Sequence, residues 1–392
     1  MRQSNYISTL DGWRAISIAL VLLHHSQLRS DIPFADWLLQ SLSNVGEIGV
    51  ELFFAISGLL ICSRLLDEES KHGRISIRDF YLRRCFRILP AALFYLLVVA
   101  ILAVFHLIPV LPLDWFSALF FFRNYVVVFE YLRHSPLPLH WYTGHFWSLS
   151  MEEHFYLLLP GVLIAFRRTR LWILAALAIT VTLWRETLTY ILHRPYQLNF
   201  RTDTHVDALL IPAMIALAVY PLTRNQRAIT WFPAWSFPVF LAMELGLLTR
   251  KVPLYFTLQA LVIPLLILST VQYPNAIPGR ILESKPLRWI GWISYSLYLW
   301  QQLFFGANFV GSPTGLATLR QAPTNLLVLL ACATFSYYFL EKPFIRLGHA
   351  IAPKSGPRGN RRQLQRLCVA DPDKRGEFAT SGLGPYHQWV RD

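Results

Sequence analysis

One apolar stretch near the start of the chain, RAISIALVLLHH, carries an arginine and a pair of histidines. Arg14 and His25 are eleven residues apart, and eleven helical steps of 100° amount to three turns plus about 20°. The two side chains therefore share one face of a helix and lie roughly 16 Å apart along its axis. His24 is turned away by about 100°, so His25 is the histidine predicted to act together with Arg14.

These two residue types suit a transfer reaction with a phosphate-bearing donor. A histidine inside a bilayer must line a polar cavity, where its neutral imidazole can accept a proton from a hydroxyl. The arginine keeps its charge and pairs well with phosphates. The alternative is structural: Asp11, one turn earlier, holds Arg14, and a neighbouring helix satisfies His25.

A second group of polar residues lies in HFWSLSMEEHFYLLLP, residues 145–160. Ser150 and Glu153 are three apart and share a helical face, whereas Glu152 points elsewhere. A buried carboxylate there is predicted to orient or polarise His25, or to hold an acceptor hydroxyl. The alternative is a helix N-terminus that is capped by a serine, with both glutamates complementing the helix dipole.

The stretch FRTDTHVDALL places several polar side chains at the outer mouth of the sixth predicted span: Arg201, Asp203, His205 and Asp207. The two aspartates share a helical face. We expect them to bind sugar hydroxyls together with Arg201 or, alternatively, to close the helix bundle through an ion pair with that arginine. Aspartate and histidine are also metal ligands, but this spacing matches no metal-site signature. No metal is expected.

A basic cluster, FYLRRCFRILP, directly precedes the third predicted span and contains Arg83, Arg84 and Arg87. Arg83 and Arg87 share one helical face. Most clusters of this kind only set the topology of a membrane protein. A donor with several phosphates must be held at the cytoplasmic face, so phosphate binding is a second role for these arginines.

The elements that position these residues are membrane helices. The chain of 392 residues is 54% hydrophobic and 15% charged, with a mean hydropathy of +0.39, which indicates a membrane protein. The formal charge of +13 falls in short clusters between apolar runs, as in cytoplasmic loops, so no nucleic-acid partner is expected. The cysteines have neither zinc-site nor disulfide-framework spacing and are interpreted as packing residues.

Long apolar segments recur along the chain, and loop charge decides which of them cross the bilayer. The segments cover about residues 10–28, 44–63, 88–109, 115–129, 147–166, 171–192, 205–221, 232–249, 254–272, 289–309 and 323–345. If the fourth segment spans, later basic clusters fall on the outer side, against the positive-inside rule. We therefore predict an all-α polytopic protein with about ten transmembrane helices, one re-entrant or peripheral segment at 115–129, and both termini in the cytoplasm.

The chain divides into a membrane domain, residues 1–350, and a polar tail, residues 351–392. From Pro353 onward the tail is rich in Gly, Pro, Arg, Asp and Ser and has no apolar period. Such composition is typical of disorder, so a basic cytoplasmic tail without a second folded domain is expected. Loops 30–43, 110–146, 193–204 and 310–322 are predicted to face outward.

Seven sequence strings, in this order, resemble the membrane-bound acyltransferase 3 family, which O-acylates bacterial surface polysaccharides and some small molecules. The resemblance extends from residue 6 to about residue 346. Its carriers are LDGWRAISIALVLLHHS, GEIGVELFFAISGLLI, ISIRDFYLRRCFRILP, HFWSLSMEEHFYLLLP, RTDTHVDALL, ISYSLYLWQ and YYFLEKPF. Each string alone is weak, whereas the ordered set is highly specific.

The resemblance implies functional residues. The family's essential arginine and histidine correspond to Arg14 and His25, and its serine-to-glutamate motif corresponds to Ser150 and Glu153. Many relatives carry histidine where this chain has Gln301, and because a glutamine cannot exchange a proton, the proton work is left to His25. Within the same string, ISYSLYLWQ, we include Tyr298 among the substrate-binding candidates.

The resemblance also implies an acyl-CoA donor, usually acetyl-CoA, which arrives from the cytosol as a co-substrate, and an acceptor met near the outer face of the bacterial inner membrane. The expected function is therefore O-acylation of a carbohydrate or carbohydrate-containing acceptor, with no permanently bound cofactor and with membrane lipids as surroundings. Some relatives append a hydrolase-like domain, for which the tail here is too short, so the stand-alone type is expected.

Two other function classes fit a polytopic chain with intramembrane Arg, His and Glu. A transporter or flippase of a glycan or lipid-linked substrate also places such residues along its pathway. A catalytically inactive scaffold is the third class, and the intact catalytic candidates, Arg14, His25 and Glu153, argue against it. Acylation of an acceptor would distinguish the enzyme from both.

Overall fold

A computed structural model describes residues 7–26, 31–126, 137–193, 198–224, 232–233, 235–249, 252–306 and 317–352. These parts of the chain form helices and turns and contain no strand, as the all-α prediction requires. The helices are α1 (Thr9–Ser26), α2 (Pro33–Asn44), α3 (Glu47–His72), α4 (Ile77–Val104), α5 (Pro112–Leu119), α6 (Leu137–Gly144), α7 (Phe146–Ala165), α8 (Arg170–Glu186), α9 (Thr202–His205), α10 (Asp207–Arg224), α11 (Ser236–Thr249), α12 (Tyr255–Gln272), α13 (Ile277–Leu282), α14 (Lys285–Phe304), α15 (Thr324–Phe335) and α16 (Lys342–Ile351).

Among the described residues, five helices are long and apolar enough to cross a membrane. They are Glu47–His72, Ile77–Val104, Arg170–Ile191, Tyr255–Gln272 and Thr324–Ile351. Each overlaps a predicted span, but the number of about ten is not confirmed. The other predicted spans form helices that are shorter or more polar, such as α1 with Asp11 and Arg14.

Helices also occur in segments that were predicted as loops or as peripheral. Residues 30–43, expected as an outer loop, include most of α2, whose first residue, Pro33, has the fixed φ that suits a helix start. In the predicted peripheral segment, 115–129, the structure gives the end of α5, an eight-residue helix too short to cross a bilayer. The tail beyond residue 352 lies outside the described residues.

The basic connection between the second and third predicted spans is mostly helical. Helix α3 continues to His72, where Gly73 takes the left-handed conformation (φ 71°) that ends many helices. Helix α4 then begins after Ser76, whose hydroxyl accepts a hydrogen bond from the Asp79 backbone N–H. The arginines of FYLRRCFRILP consequently lie on α4 rather than in a loop.

Helix α1 lies at the centre of the molecule, close against α3 and α14. A Cβ atom on Gly49 of α3 would come within 2.5 Å of the Ser17 carbonyl oxygen, and one on Gly291 of α14 within 2.0 Å of the Asp11 carbonyl oxygen. Only glycine permits backbones to approach so closely. The helix that carries Arg14 and His25 is therefore held on both sides by backbone contact.

Candidate active site

One cavity contains the histidines, and we call it the histidine cavity. It has about 1000 Å³ of empty space, counted to its open mouth. Its polar side chains come from α1, α3, α14, the junction between α6 and α7, and the segment before α9, and its walls also carry several aromatic rings. The lining residues are Val21, His24, His25, Gly46, Glu47, Val50, Glu51, Trp141, Gly144, His145, Trp147, Asn199, Phe200, Phe256, Tyr298 and Gln302.

The second cavity contains four arginines, and we call it the arginine cavity. It has about 850 Å³ of empty space, counted to its mouth. Arg14 comes from α1, Arg64 from α3, and Arg84 and Arg87 from α4. Opposite them lie hydroxyl groups and one carboxylate, contributed by Ser57, Ser148, Tyr156, Ser294, Tyr295 and Glu152. Such a concentration of guanidinium groups is typical of a phosphate-binding site.

The two cavities adjoin at Tyr298 and Val50, which line both. The Tyr298 hydroxyl oxygen lies 2.5 Å from the Ser148 hydroxyl oxygen, so one of these groups donates to the other. It also lies 3.1 Å from the backbone carbonyl oxygen of His145, to which it can donate. The phenol of Tyr298 and the isopropyl group of Val50 thus lie between the arginines and the histidines.

The arginine cavity keeps part of its positive charge uncompensated. Arg14 forms an ion pair with Asp11 at 3.0 Å, and the other oxygen of Asp11 accepts from the Trp292 indole. The Arg84 guanidinium lies over the Tyr156 ring at 5.0 Å. Arg64 and Arg87 form no ion pair within 4.0 Å with a described residue, and are therefore available to an anion.

Arg83 lies outside the arginine cavity. Its guanidinium forms an ion pair with Glu68 at 2.8 Å and donates to the Ala352 carbonyl oxygen at 3.4 Å. The structure thus brings Arg14, Arg84 and Arg87 together and places Arg83 in a contact between α4, α3 and the end of α16. The fourth arginine of the cavity is Arg64, which was not predicted from the sequence.

A sequence signal for Arg64 exists in α3. Val50, Phe53, Ser57, Leu60 and Arg64 all line the arginine cavity. They follow one another at steps of three or four residues, the spacing of a single helical face. If any one of these α3 residues is known to face the cavity, the spacing predicts that Arg64 faces it too.

The structure places Glu152, not Glu153, on the wall of the arginine cavity. The Glu152 carboxylate accepts hydrogen bonds from Ser57 at 2.6 Å and from Tyr156 at 3.2 Å. Glu153 is half-buried and lines neither cavity. Ser150 is fully buried and donates back to the Phe146 carbonyl oxygen at 2.8 Å, so it too is outside both cavities.

The acidic residues of FRTDTHVDALL make ion pairs away from both cavities. Asp203 pairs with Arg201, as the structural alternative expected. Asp207 instead pairs with Arg185 of α8 through both carboxylate oxygens, each at 2.8 Å, in a buried site. The two aspartates fall on different helices, because the chain turns at Val206, so they do not share a helical face as predicted.

His205, in the same segment, contacts a residue that lines the histidine cavity. His205 is fully buried, and its Nε2 lies 2.7 Å from a carboxylate oxygen of Glu51, which lines that cavity. Within the described residues, no group of three or more His, Cys, Asp or Glu side chains is arranged to hold a metal ion.

His25 lines the histidine cavity next to His24, and its ring meets the Trp141 ring edge-on at 5.5 Å between centroids. Gln301 is fully buried, and its side chain lies within reach of the His25 imidazole. Neither amide atom of Gln301 attains ordinary hydrogen-bond geometry with a described residue.

Comparison with known proteins assigns the family. A family model described as an acyltransferase domain, the acyltransferase 3 family, matches residues 7–342. The chain is 30% identical over 370 residues to "Putative peptidoglycan O-acetyltransferase YrhL" of Bacillus subtilis (strain 168), covering 86% of this chain and 55% of the relative. It is 26% identical over 372 residues to "Peptidoglycan O-acetyltransferase OatA" of Listeria monocytogenes, covering 88% of this chain and 56% of the relative.

The chain thus spans a little over half the length of these two relatives. No solved structure matches it. Because the family model covers most of the chain and includes both cavities, the chain belongs to the acyltransferase 3 family and is an acyltransferase.

Proposed function

We propose that this protein transfers an acetyl group from acetyl-CoA to a hydroxyl of a carbohydrate acceptor. The observation that carries the proposal is the junction of two cavities at Tyr298, one with four arginines and the other with His25. The phosphates of CoA bind Arg14, Arg64, Arg84 and Arg87. The thioester arm then extends past Tyr298 toward the imidazole.

His25 acts as the general base in this scheme. It takes the proton of the acceptor hydroxyl while the hydroxyl oxygen attacks the thioester carbon. The carbon–sulfur bond breaks as the tetrahedral intermediate collapses, and the CoA sulfur receives the proton from the His25 imidazolium. The products are the O-acetylated acceptor and free CoA. The Tyr298 hydroxyl, at the junction, turns its proton from the His145 carbonyl oxygen to the carbonyl oxygen of the thioester as charge develops there, and Ser148 continues to donate to the His145 carbonyl oxygen.

The composition of the histidine cavity supports a carbohydrate acceptor. Aromatic rings of Trp141, Trp147, Phe200 and Phe256 give apolar faces on which a sugar ring can stack, and the carboxylates and amides nearby can bind its hydroxyls. Two relatives are named as peptidoglycan O-acetyltransferases. We propose a glycan strand of this kind as the first acceptor to test.

The proposed location is the bacterial cytoplasmic membrane, with the arginine cavity and both termini on the cytoplasmic side. The support is the concentration of basic residues at one end of the helices, since arginine and lysine are retained in the cytoplasm. Acetyl-CoA is cytosolic in this arrangement, and the histidine cavity opens toward the outer face.

The proposal is tested with the purified protein in proteoliposomes, using radiolabelled acetyl-CoA and soluble peptidoglycan strands. We expect label to enter the glycan, and we expect His25→Ala to lower the rate by at least about 100-fold, the usual contribution of a general base. His154→Ala is the matched control, because His154 lies on α7, bonds Thr202 at 2.7 Å and lines neither cavity.

Two results would overturn the proposal. If His25→Ala transferred acetyl groups at a near wild-type rate, His25 would not be the general base. Movement of unmodified oligosaccharide across the membrane without any acetylation would instead indicate a transporter.

A further inference from the structure

A second histidine, His145, is held in the wall of the histidine cavity at the junction of α6 and α7. Its side chain is 2% exposed. Its Nε2 atom is buried and has no hydrogen-bond partner among the described residues. Buried polar atoms normally have a partner, so an unpaired nitrogen in a cavity wall requires an explanation.

The identity of the atoms around His145 follows from the backbone. The backbone N–H of His145 points at Oε1 of Gln302, 3.3 Å away. A backbone N–H can only donate, so the amide atom that faces it is the oxygen. The Nδ1 of His145 lies 2.6 Å from that same oxygen and must therefore carry a proton in order to bond it.

This arrangement fixes the tautomer of the ring. In a neutral imidazole with the proton on Nδ1, the Nε2 atom has a free lone pair. The free nitrogen of His145 is therefore a hydrogen-bond acceptor, ready for a group that donates.

The position of His145 is fixed as firmly as its tautomer. Its carbonyl oxygen is within hydrogen-bond distance of the hydroxyls of Tyr298, at 3.1 Å, and Ser148, at 3.2 Å. The ring packs edge-on against Tyr95 at 5.2 Å and against Tyr298 at 5.5 Å between centroids. These contacts hold the ring in one orientation, so little conformational freedom is left for a ligand to restrict.

We propose that His145 Nε2 accepts a hydrogen bond from a hydroxyl of the carbohydrate acceptor and so positions the sugar for attack. The inference rests on the proposed function and adds to it the residue that recognises the acceptor. Its ligand is a polyhydroxylated molecule, because an acceptor nitrogen in an aromatic-walled cavity is complementary to a hydroxyl on a sugar face.

The Nδ1 partner of His145 fits a role in binding, and the separation of this role from that of His25 comes from comparing Kd with turnover. A carboxylate at Nδ1 would stabilise a positively charged imidazolium after proton transfer, whereas the amide of Gln302 is neutral. His145 is thus suited to accept a hydrogen bond without removing the proton. We expect its loss to weaken acceptor binding more than turnover.

Binding is measured without any reaction, by the quenching of tryptophan fluorescence in detergent-solubilised protein, since Trp141 and Trp147 line the same cavity. The probes are soluble peptidoglycan strands and chitopentaose, with acetyl-CoA absent. His145→Ala is expected to raise Kd by about 2- to 12-fold, the range of one neutral hydrogen bond. His145→Gln, whose amide oxygen can occupy the place of Nε2, is expected to restore most of the affinity.

Further variants exclude a merely structural effect. Gln302→Leu keeps the His145 ring but removes the oxygen that holds the proton on Nδ1. This variant should also raise Kd, and it serves as the test if His145→Ala fails to fold. His154→Ala should leave Kd unchanged, because His154 lines neither cavity.

Several outcomes overturn the inference. One is an unchanged Kd for both His145→Ala and Gln302→Leu, and another is a wild-type protein that binds neither glycan. A turnover rate that falls by about 100-fold or more while Kd stays unchanged would assign His145 to proton transfer instead. A wild-type protein that binds glycan but never acetylates it would refute the proposed function while leaving the role of His145 in place.

Discussion

Arg14 and His25 share one helix but line different cavities, Arg14 the arginine cavity and His25 the histidine cavity. The helical rise between them, roughly 16 Å, is a distance that the extended arm of a thioester donor can cover. In the proposed function, one helix therefore sets the distance between the phosphate-binding arginine and the general base.

Arg64→Ala is expected to raise KM for acetyl-CoA by about tenfold or more, because it removes a guanidinium that is free to bond a phosphate. Arg83→Ala should change this KM by less than about twofold, since Arg83 is bound to Glu68. Initial-rate measurements over a range of acetyl-CoA concentrations compare the two variants. Equal effects would show that the arginine cavity is not the donor site.

Tyr298→Phe is expected to lower kcat by about 10- to 100-fold, because it removes the hydroxyl that borders both cavities. Tyr95→Phe provides the comparison: its hydroxyl donates to the Tyr142 carbonyl at 2.7 Å and it lines neither cavity. We expect Tyr95→Phe to lower the unfolding temperature and to leave kcat within about twofold. A Tyr298→Phe variant with normal kcat would contradict the role of the junction.

Asp207→Asn should lower the free energy of unfolding by about 3–5 kcal/mol, because it leaves the buried Arg185 guanidinium without its charged partner. Asp203→Asn breaks a more exposed pair with Arg201 and should cost about 0.2–1 kcal/mol. Denaturation in detergent micelles gives both values. The activity of each folded variant should be close to wild type, and a selective rise in acceptor KM would restore the substrate-binding role that the sequence suggested.

Glu152→Gln is expected to lower KM for acetyl-CoA, because it removes the negative charge from a cavity wall that faces four arginines. Glu153→Gln should leave this KM unchanged. Steady-state kinetics with acetyl-CoA, and inhibition by free CoA, measure both. A loss of turnover confined to Glu153→Gln would instead favour the residue that the sequence motif suggested.

Helical periodicity in the sequence predicted the all-helical fold and the helix that carries both Arg14 and His25, since both depend on spacing within one segment. It did not separate His24 from His25, which line the same cavity, nor Glu152 from Glu153, nor Arg83 from Arg84. Adjacent residues on a helix point about 100° apart, and only the neighbouring helices decide which of the two meets a cavity. No property of either residue carries that information.

The partner of Asp207 illustrates the same point for contacts between helices. Arg201 lies nearby in sequence and was the expected partner, but Arg185, at the end of α8, reaches Asp207. His145 was also missed, although its segment was singled out, because its importance depends on Gln302, 157 residues later in the chain.

The wall shared by the two cavities has a consequence for the membrane itself. In the proposed topology, Tyr298 and Val50 belong to the barrier between cytosol and exterior, because they line both cavities. A hydrated ion would lose its water shell there with little to replace it, whereas an acetyl group carries no charge and little bulk. If the proposed function holds, the junction passes an acetyl group while it keeps hydrated ions and the coenzyme on their own side of the membrane.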